Sequence, residues 1–157
     1  MIVYPNAKIN LGLNILRKRE DGFHEIASVF YPVKWKDALE VVRANHLKFT
    51  SGGLAIPGTV ESNLCLKAYT LLKEAYDIPP VHIHLHKVLP MGGGLVGGSS
   101  DAAFTLRVLN EMFSLHLETN TLKSLAARLG SDCAFFIDNT PQMATGRGEV
   151  LTPFNLN

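Results

Sequence analysis

From Ala7 to Ile15 apolar and polar residues alternate without a break, with Ala7, Ile9, Leu11, Leu13 and Ile15 on one face and Lys8, Asn10, Gly12 and Asn14 on the other. Successive strand side chains point to opposite faces, so this pattern predicts a half-buried β-strand with its apolar row toward the core. The polar row, a cation, two amides and a glycine, is suited to touching a ligand. Asp21-Gly22 marks a turn, and β-branched and aromatic residues predict strands over 26–35, 38–42 and 47–50, the last ended by Ser51-Gly52-Gly53. Leu64, Ala68, Leu71, Leu72 and Ala75 recur at helical spacing, which predicts a helix over 63–76, capped by Ser62 and stopped by Pro79-Pro80. Val81, Ile83 and Leu85 alternate with three histidines in a further strand. Amphipathic helices follow over 102–113 and 122–129, the second ending at Gly130, then strands over 134–137 and 142–145. Strands first and helices interspersed later predict an α+β domain, a mostly antiparallel sheet with packed helices.

Composition narrows the classes. The 157 residues carry 15 Lys+Arg against 14 Asp+Glu and are 46% hydrophobic, enough for one core without disulfides or a structural metal. No repeat or linker divides the chain. The longest basic cluster, Arg17-Lys18-Arg19, is followed at once by Glu20-Asp21, so no nucleic-acid partner is expected. The longest apolar run covers only 133–137, too short to span a bilayer, so no membrane partner is expected. Pro5, Asn6, Lys8 and Asn10 interrupt the apolar start that a secretory signal needs, and the expected location is a bacterial cytoplasm. Cys65 and Cys133, far apart and without a CxxC, read as reduced thiols. His82, His84 and His86 share one strand face without an accompanying carboxylate or thiolate, and read as a surface row in preference to a zinc site.

The segment Pro90-Met91-Gly92-Gly93-Gly94-Leu95-Val96-Gly97-Gly98-Ser99-Ser100-Asp101 holds five glycines within seven residues, between a predicted strand and a predicted helix. Such a turn brings backbone close to a ligand, and the following helix N-terminus offers free N–H groups and partial positive charge. Phosphate is the expected guest. Ser99 and Ser100 can cap the helix or face phosphate oxygens or a magnesium ion. Gly98 is followed by serine where a Walker A loop needs lysine, which excludes that class. Gly92-x-Gly94-x-x-Gly97 matches the dinucleotide fingerprint, with Glu118 about 20 residues on, but Pro90-Met91 stand where a Rossmann strand should enter its first glycine.

Taken together and in order, Pro5-Asn6-Ala7-Lys8-Ile9-Asn10-Leu11, Asp21-Gly22-Phe23-His24-Glu25, the stretch 90–103 and Leu129-Gly130-Ser131-Asp132-Cys133 resemble the GHMP kinases. The first two segments narrow the resemblance to the branch that acts on a cytidine diphosphate methylerythritol. The resemblance implies a ribosomal-protein-S5-domain-2-like fold, with 1–157 forming the N-terminal ATP-binding domain and the family's C-terminal domain absent from this chain. It implies Mg2+ and ATP-dependent phosphorylation of the substrate's 2-hydroxyl, a step of non-mevalonate isoprenoid precursor biosynthesis. By motif position Lys8 and Asp132 match the catalytic pair. Pro90, Met91, Gly92, Gly93, Gly94, Leu95, Val96, Gly97, Gly98, Ser99 and Ser100 match the ATP phosphate loop, with Asn63 and Lys87 near the nucleotide. Asn10 matches a substrate contact, and Phe23, where the family often has tyrosine, and His24 match the cytosine-recognising step. Arg147, in Gly146-Arg147-Gly148-Glu149, gains no role beyond phosphate proximity. The resemblance assigns neither the magnesium ligand nor an oligomeric state.

Residue chemistry agrees with these implications. Phosphoryl transfer depends on positioning and on charge stabilisation at the γ-phosphoryl oxygens, which Lys8 can supply while Asp132 orients the hydroxyl or accepts its proton. Two departures bear on activity. Val96 stands where the family usually has glycine, so either its φ is negative or nucleotide binding is impaired. Family members also continue for roughly another domain. A truncated kinase that binds nucleotide but turns over little alone is therefore expected, and a coupled ADP-release assay showing full turnover would contradict it. A homoserine or mevalonate kinase of the same family, and a non-catalytic nucleotide-binding remnant, are the alternatives.

Overall fold

The alternating N-terminal segment becomes one arm of a long hairpin. In the computed structural model, which describes residues 1–155, β1 (Ile2–Val3) is followed by β2 (Asn6–Lys18) and β3 (His24–Lys36), antiparallel about Asp21-Gly22. The expected burial of the apolar row is found only at its start, where Ala7 is fully buried and Ile9 partly so. Lys8 is only 3% exposed, whereas Leu11, Leu13 and Ile15 are 41%, 52% and 63% exposed. Only the start of β2 lies under the helical layer, and Gly12, at φ +70°, sits in a register shift between Leu11 and Leu13 that breaks the alternation.

The remaining strands are β4 (Ala38–Arg43), β5 (Lys48–Gly53), β6 (Val81–Lys87), β7 (Gln142–Gly146) and β8 (Val150–Pro153). They form two four-stranded sheets, ordered β1-β4-β6-β5 and β2-β3-β7-β8, where one sheet was expected. Five of the six pairings are antiparallel and only β5 with β6 is parallel, as the mostly antiparallel reading requires. Ser51-Gly52-Gly53, expected to end a strand, pair with Leu85, His86 and Lys87 instead. On the histidine face Thr50 Oγ1 lies 2.8 Å from both His82 Nε2 and His84 Nδ1, and no cluster fit for a metal occurs among the described residues.

Helices α1 (Leu64–Tyr76), α2 (Gly97–Met112), α3 (Thr119–Leu129) and the short α4 (Phe135–Asp138) cover the sheets. Leu39, Val41, Ile83 and Leu85 pack under Ala68 and Leu72 of α1 and Leu106 and Leu109 of α2. Asn63, not Ser62, caps α1 by accepting from the Cys65 N–H at 2.9 Å, because Ser62 belongs to a preceding 3₁₀ turn and donates to Thr59 O. The expected strand over 134–137 is helical. A short apolar run suits either state, and here a helical turn buries Phe135, Phe136 and Ile137 together, with Phe135 edge-on to Phe30 at 5.7 Å. Both cysteines are free and buried. No helix among the described residues is long and apolar enough to cross a membrane.

Candidate active site

The glycine segment leaves β6 and wraps onto the start of α2. Gly92, Gly93 and Gly94 hold φ of +88°, +65° and +76°, and a side chain on any of them would meet nothing within 4 Å, so the loop is open on its outer side. Val96 adopts φ +57°, ψ +36°, so negative φ is not the way this position accommodates valine. It is also the residue that caps α2, through its carbonyl, which accepts from the N–H groups of Ser99 and Ser100 at 3.1 Å each. The two serines thus lie inside the first helical turn and do not cap it by side chain. A cleft of about 290 Å³ runs along the loop, lined by Leu64, Met91, Gly92, Gly94, Val96 and Gly98 among others.

Gly97 is required by close approach. A Cβ there would lie 2.6 Å from Lys87 Nζ and 3.2 Å from Leu89 Cβ, both buried. Gly97→Ala is therefore expected to destabilise the fold by about 1–3 kcal/mol, read as a lower urea midpoint with unchanged slope. An unchanged midpoint would mean that Lys87 yields freely.

Lys8 meets the loop directly. Its backbone N–H donates to Leu95 O at 3.2 Å, and its ammonium donates to Asn10 Oδ1 at 2.7 Å, lies 3.9 Å from Asp132 Oδ2 and stands 4.0 Å over the Phe30 ring. Burial lowers the Lys8 pKa below the ordinary lysine value, and the Asp132 carboxylate restores part of the loss. Asp132 sits on the turn between α3 and α4. That turn abuts the loop: a Cβ at Gly130 would be 3.4 Å from Cys133 Sγ and 4.0 Å from Ser99 Oγ. On its other side the β7–β8 turn closes in, since a Cβ at Gly148 would be 3.7 Å from Asp132 Oδ1 and 3.3 Å from Phe30 Cζ. A reciprocal amide pair, Asn6 with Asn139 at 3.1 and 2.7 Å, pins the start of β2 to the end of α4.

Lys8, Asn10, Asp132 and the glycine loop are thus brought together. Asn63 lines a second cleft of about 100 Å³ that shares Leu64, Met91 and Gly98 with the first and adds Ile56, Pro57 and Asp101. Lys87, expected near a nucleotide, lies beneath the loop: it is 1% exposed, with Nζ 2.5 Å from Asp37 Oδ2 and 2.8 Å from Asp101 Oδ2, and its charge is spent in the interior. Phe23 and His24 are exposed near the tip of the β2–β3 hairpin. The Arg147 guanidinium stacks on Phe23 at 4.8 Å and so ties that tip to the turn bearing Gly148. Phe30, Asp37 and Gly148 join these surroundings without a local sequence motif that marks them. A separate groove of about 550 Å³ between α1 and the end of α3 touches none of these groups.

Residues 63–140 match the GHMP kinases N terminal domain. The chain is 57% identical over 152 residues to a 4-diphosphocytidyl-2-C-methyl-D-erythritol kinase of Cytophaga hutchinsonii, covering 97% of this chain and 56% of that protein. A kinase of the same name from Bacteroides fragilis is 52% identical and covers 100% and 59% respectively. A crystal structure of 4-(cytidine 5'-diphospho)-2C-methyl-D-erythritol kinase superposes with a TM-score of 0.88 at 36% identity, over all of this chain and 56% of that one. A Methanococcus jannaschii mevalonate kinase, at TM-score 0.72 and 12% identity, shares the fold. The chain spans somewhat more than half the length of these relatives. It belongs to the GHMP kinase family, whose N-terminal domain it carries.

Proposed function

We propose that this chain supplies the nucleotide-binding half of a kinase that transfers the γ-phosphoryl group of ATP to the 2-hydroxyl of 4-diphosphocytidyl-2-C-methyl-D-erythritol. The observation that carries this reading is the Lys8 N–H to Leu95 O bond, which ties to the glycine loop the strand whose buried Lys8 ammonium lies beside Asp132. Helix α2 aims its first amides and positive end at the cleft, a setting that favours a polyphosphate. The adjoining cleft with Ile56, Pro57, Leu64 and Met91 offers apolar walls and the Asn63 amide to a base.

In the proposed reaction Lys8 neutralises charge on the transferring group, with Asn10 holding the ammonium in place. Asp132 orients the attacking hydroxyl and receives its proton as the phosphorus–oxygen bond forms and ADP leaves. Gly148 leaves room for the substrate to approach that carboxylate. Phe23 and His24 serve the cytosine, by stacking and by hydrogen bonding, with Arg147 moving off or sandwiching the ring. Magnesium would be held chiefly by phosphate oxygens, since no group of three or more acidic, His or Cys residues fit to hold a metal ion occurs among the described residues, with the Ser99 hydroxyl and Asp132 carboxylate as oxygen donors beside the loop. When bound it supplies charge neutralisation of the phosphates.

A thermal-shift panel tests the reading. Mg-ATP is expected to raise the melting temperature, and a cytidine diphosphate ligand to raise it further, while homoserine and mevalonate do nothing. Stabilisation by mevalonate or homoserine would move the chain to another member of the family, and no response to ATP would remove the nucleotide reading altogether.

A further inference from the structure

Phe30 of β3 stands directly across from Asn10 of β2. That pairing, and the two-residue spacing of Lys8 and Asn10, put all three side chains on one face of the ladder. There they form a seat for a cation. The Lys8 ammonium donates to Asn10 Oδ1 at 2.7 Å and lies 4.0 Å above the centre of the Phe30 ring. Lysine and ring are almost wholly buried, at 3% and 2% exposure. The ring is itself held in place. Phe135, the first residue of α4, meets it edge-on at 5.7 Å, and Phe136 meets Phe135 edge-on at 5.0 Å. Because α4 begins three residues after Asp132, one ring joins the strand that carries Lys8 to the helical turn that follows Asp132.

The separation of the two charges depends on this seat. Lys87 and Lys73 each bring Nζ within hydrogen-bond distance of a carboxylate, at 2.8 Å from Asp101 and 2.6 Å from Asp77. Lys8 stops 3.9 Å from Asp132, beyond hydrogen-bond reach. The attraction between opposite charges grows as the gap closes, so something must oppose the closure. Two groups already hold the ammonium: the Asn10 oxygen and the negative face of an aromatic ring, whose pull on a cation is strongest where water is excluded. Of the three donors on the ammonium, one is engaged by Asn10 and none by Asp132.

We infer that Phe30 is a positioning residue for phosphoryl transfer, its ring face holding the Lys8 ammonium out of hydrogen-bond reach of Asp132. The role rests on the reading of Lys8 and Asp132 as the pair that acts on the reacting groups. In direct contact the two would satisfy each other. The carboxylate would then take the charge meant for the transferring group, and the ammonium would fill an acceptor site meant for the attacking hydroxyl. Kept apart, one remains available to phosphate oxygens and the other to the hydroxyl. Phe30 acts only through Lys8 and the turn that bears Asp132.

Two replacements remove the hold of the ring in different ways. Phe30→Leu keeps an apolar side chain and deletes the aromatic face. A phenylalanine fluorinated at its δ and ε carbons keeps the ring, drains its negative face, and leaves unchanged the Cζ that faces Gly148. Crystal structures of both proteins are expected to show Lys8 Nζ moved from 3.9 Å to hydrogen-bond distance of Asp132. Single-turnover transfer from Mg-ATP to the cytidylylated methylerythritol is expected to fall about 10- to 30-fold in both, with the Kd for ATP changed less than about twofold. The fluorinated protein should melt close to the wild-type temperature, which separates lost positioning from lost packing. An ammonium that stays in place in both proteins overturns the inference whatever the rates, and so does a displaced ammonium with wild-type transfer. If Phe30→Leu does not fold, the fluorinated protein decides alone. Absence of transfer by the wild type counts against the proposed reaction, and the distance from ammonium to carboxylate then decides the inference by itself.

Discussion

Replacing Lys8 with methionine is expected to lower phosphoryl transfer by about 100- to 1,000-fold, the range seen when a preorganised donor to developing charge is removed. Methionine keeps most of the buried volume and its packing on Phe30, so the loss comes from the ammonium and not from a collapsed strand. The effect should fall on chemistry more than on affinity. The loop amides and the end of α2 remain, so on the proposed reading ATP binding should weaken only a few-fold, while any preference for ATP over ADP should shrink. A pH profile supplies the second signature. Burial lowers the Lys8 pKa, so the wild-type rate should decline with rising pH below the range of an ordinary lysine, and that limb should be missing from the residual rate of the variant. Single-turnover transfer from Mg-ATP to the cytidylylated methylerythritol, with ATP and ADP affinities measured alongside, checks all three. Wild-type transfer rates in Lys8→Met would remove Lys8 from the mechanism.

Much of this site is written in local sequence, and the exceptions share a cause. The glycine loop, its position between strand and helix, and the polar row of β2 are consequences of residues within a few positions of one another, and local pattern is what a sequence displays. Asp37 is invisible by the same standard, because the ammonium and amides that make it a buried junction are 50 or more residues away in the chain. Lys87 did leave a signal. It continues the odd-numbered row of Val81, Ile83 and Leu85, so the alternation that assigned the strand also turned this lysine inward, toward carboxylates rather than a ligand. The same alternation misled in β2, where period alone specifies two faces but not which one is covered. Lys8 is buried because that end of the strand lies beside the loop and α2, and Leu13 and Ile15 are exposed because their end projects beyond any covering layer. Phe135 to Ile137 illustrate a third limit: three buried apolar residues satisfy a strand or a helical turn equally, and only the packing against Phe30 decides.

Val96→Gly is expected to tighten Mg-ATP binding by about three- to tenfold while leaving stability within about 1 kcal/mol of wild type. Three terms set these figures. A β-branched residue held in the left-handed region costs about 1–3 kcal/mol, which glycine recovers. Against this, glycine adds about 0.5–1 kcal/mol of unfolded-state entropy, and the partly buried valine methyls give up about 1 kcal/mol of packing against the core. The opposing sums nearly cancel in the free protein. They do not cancel in the complex, because Val96 lines the cleft along the loop and its side chain occupies space that a phosphate approaching the backbone would use. Two further substitutions separate strain from bulk. Val96→Ala trims the side chain but keeps an unfavourable φ, whereas Val96→Asn keeps a side chain of similar size in a conformation that asparagine tolerates. If bulk governs, alanine should reproduce most of the gain in affinity and asparagine none. If strain governs, asparagine should raise the melting temperature without tightening ATP. Calorimetry that finds equal or weaker ATP affinity in Val96→Gly would show that the loop is already shaped for its ligand with valine in place.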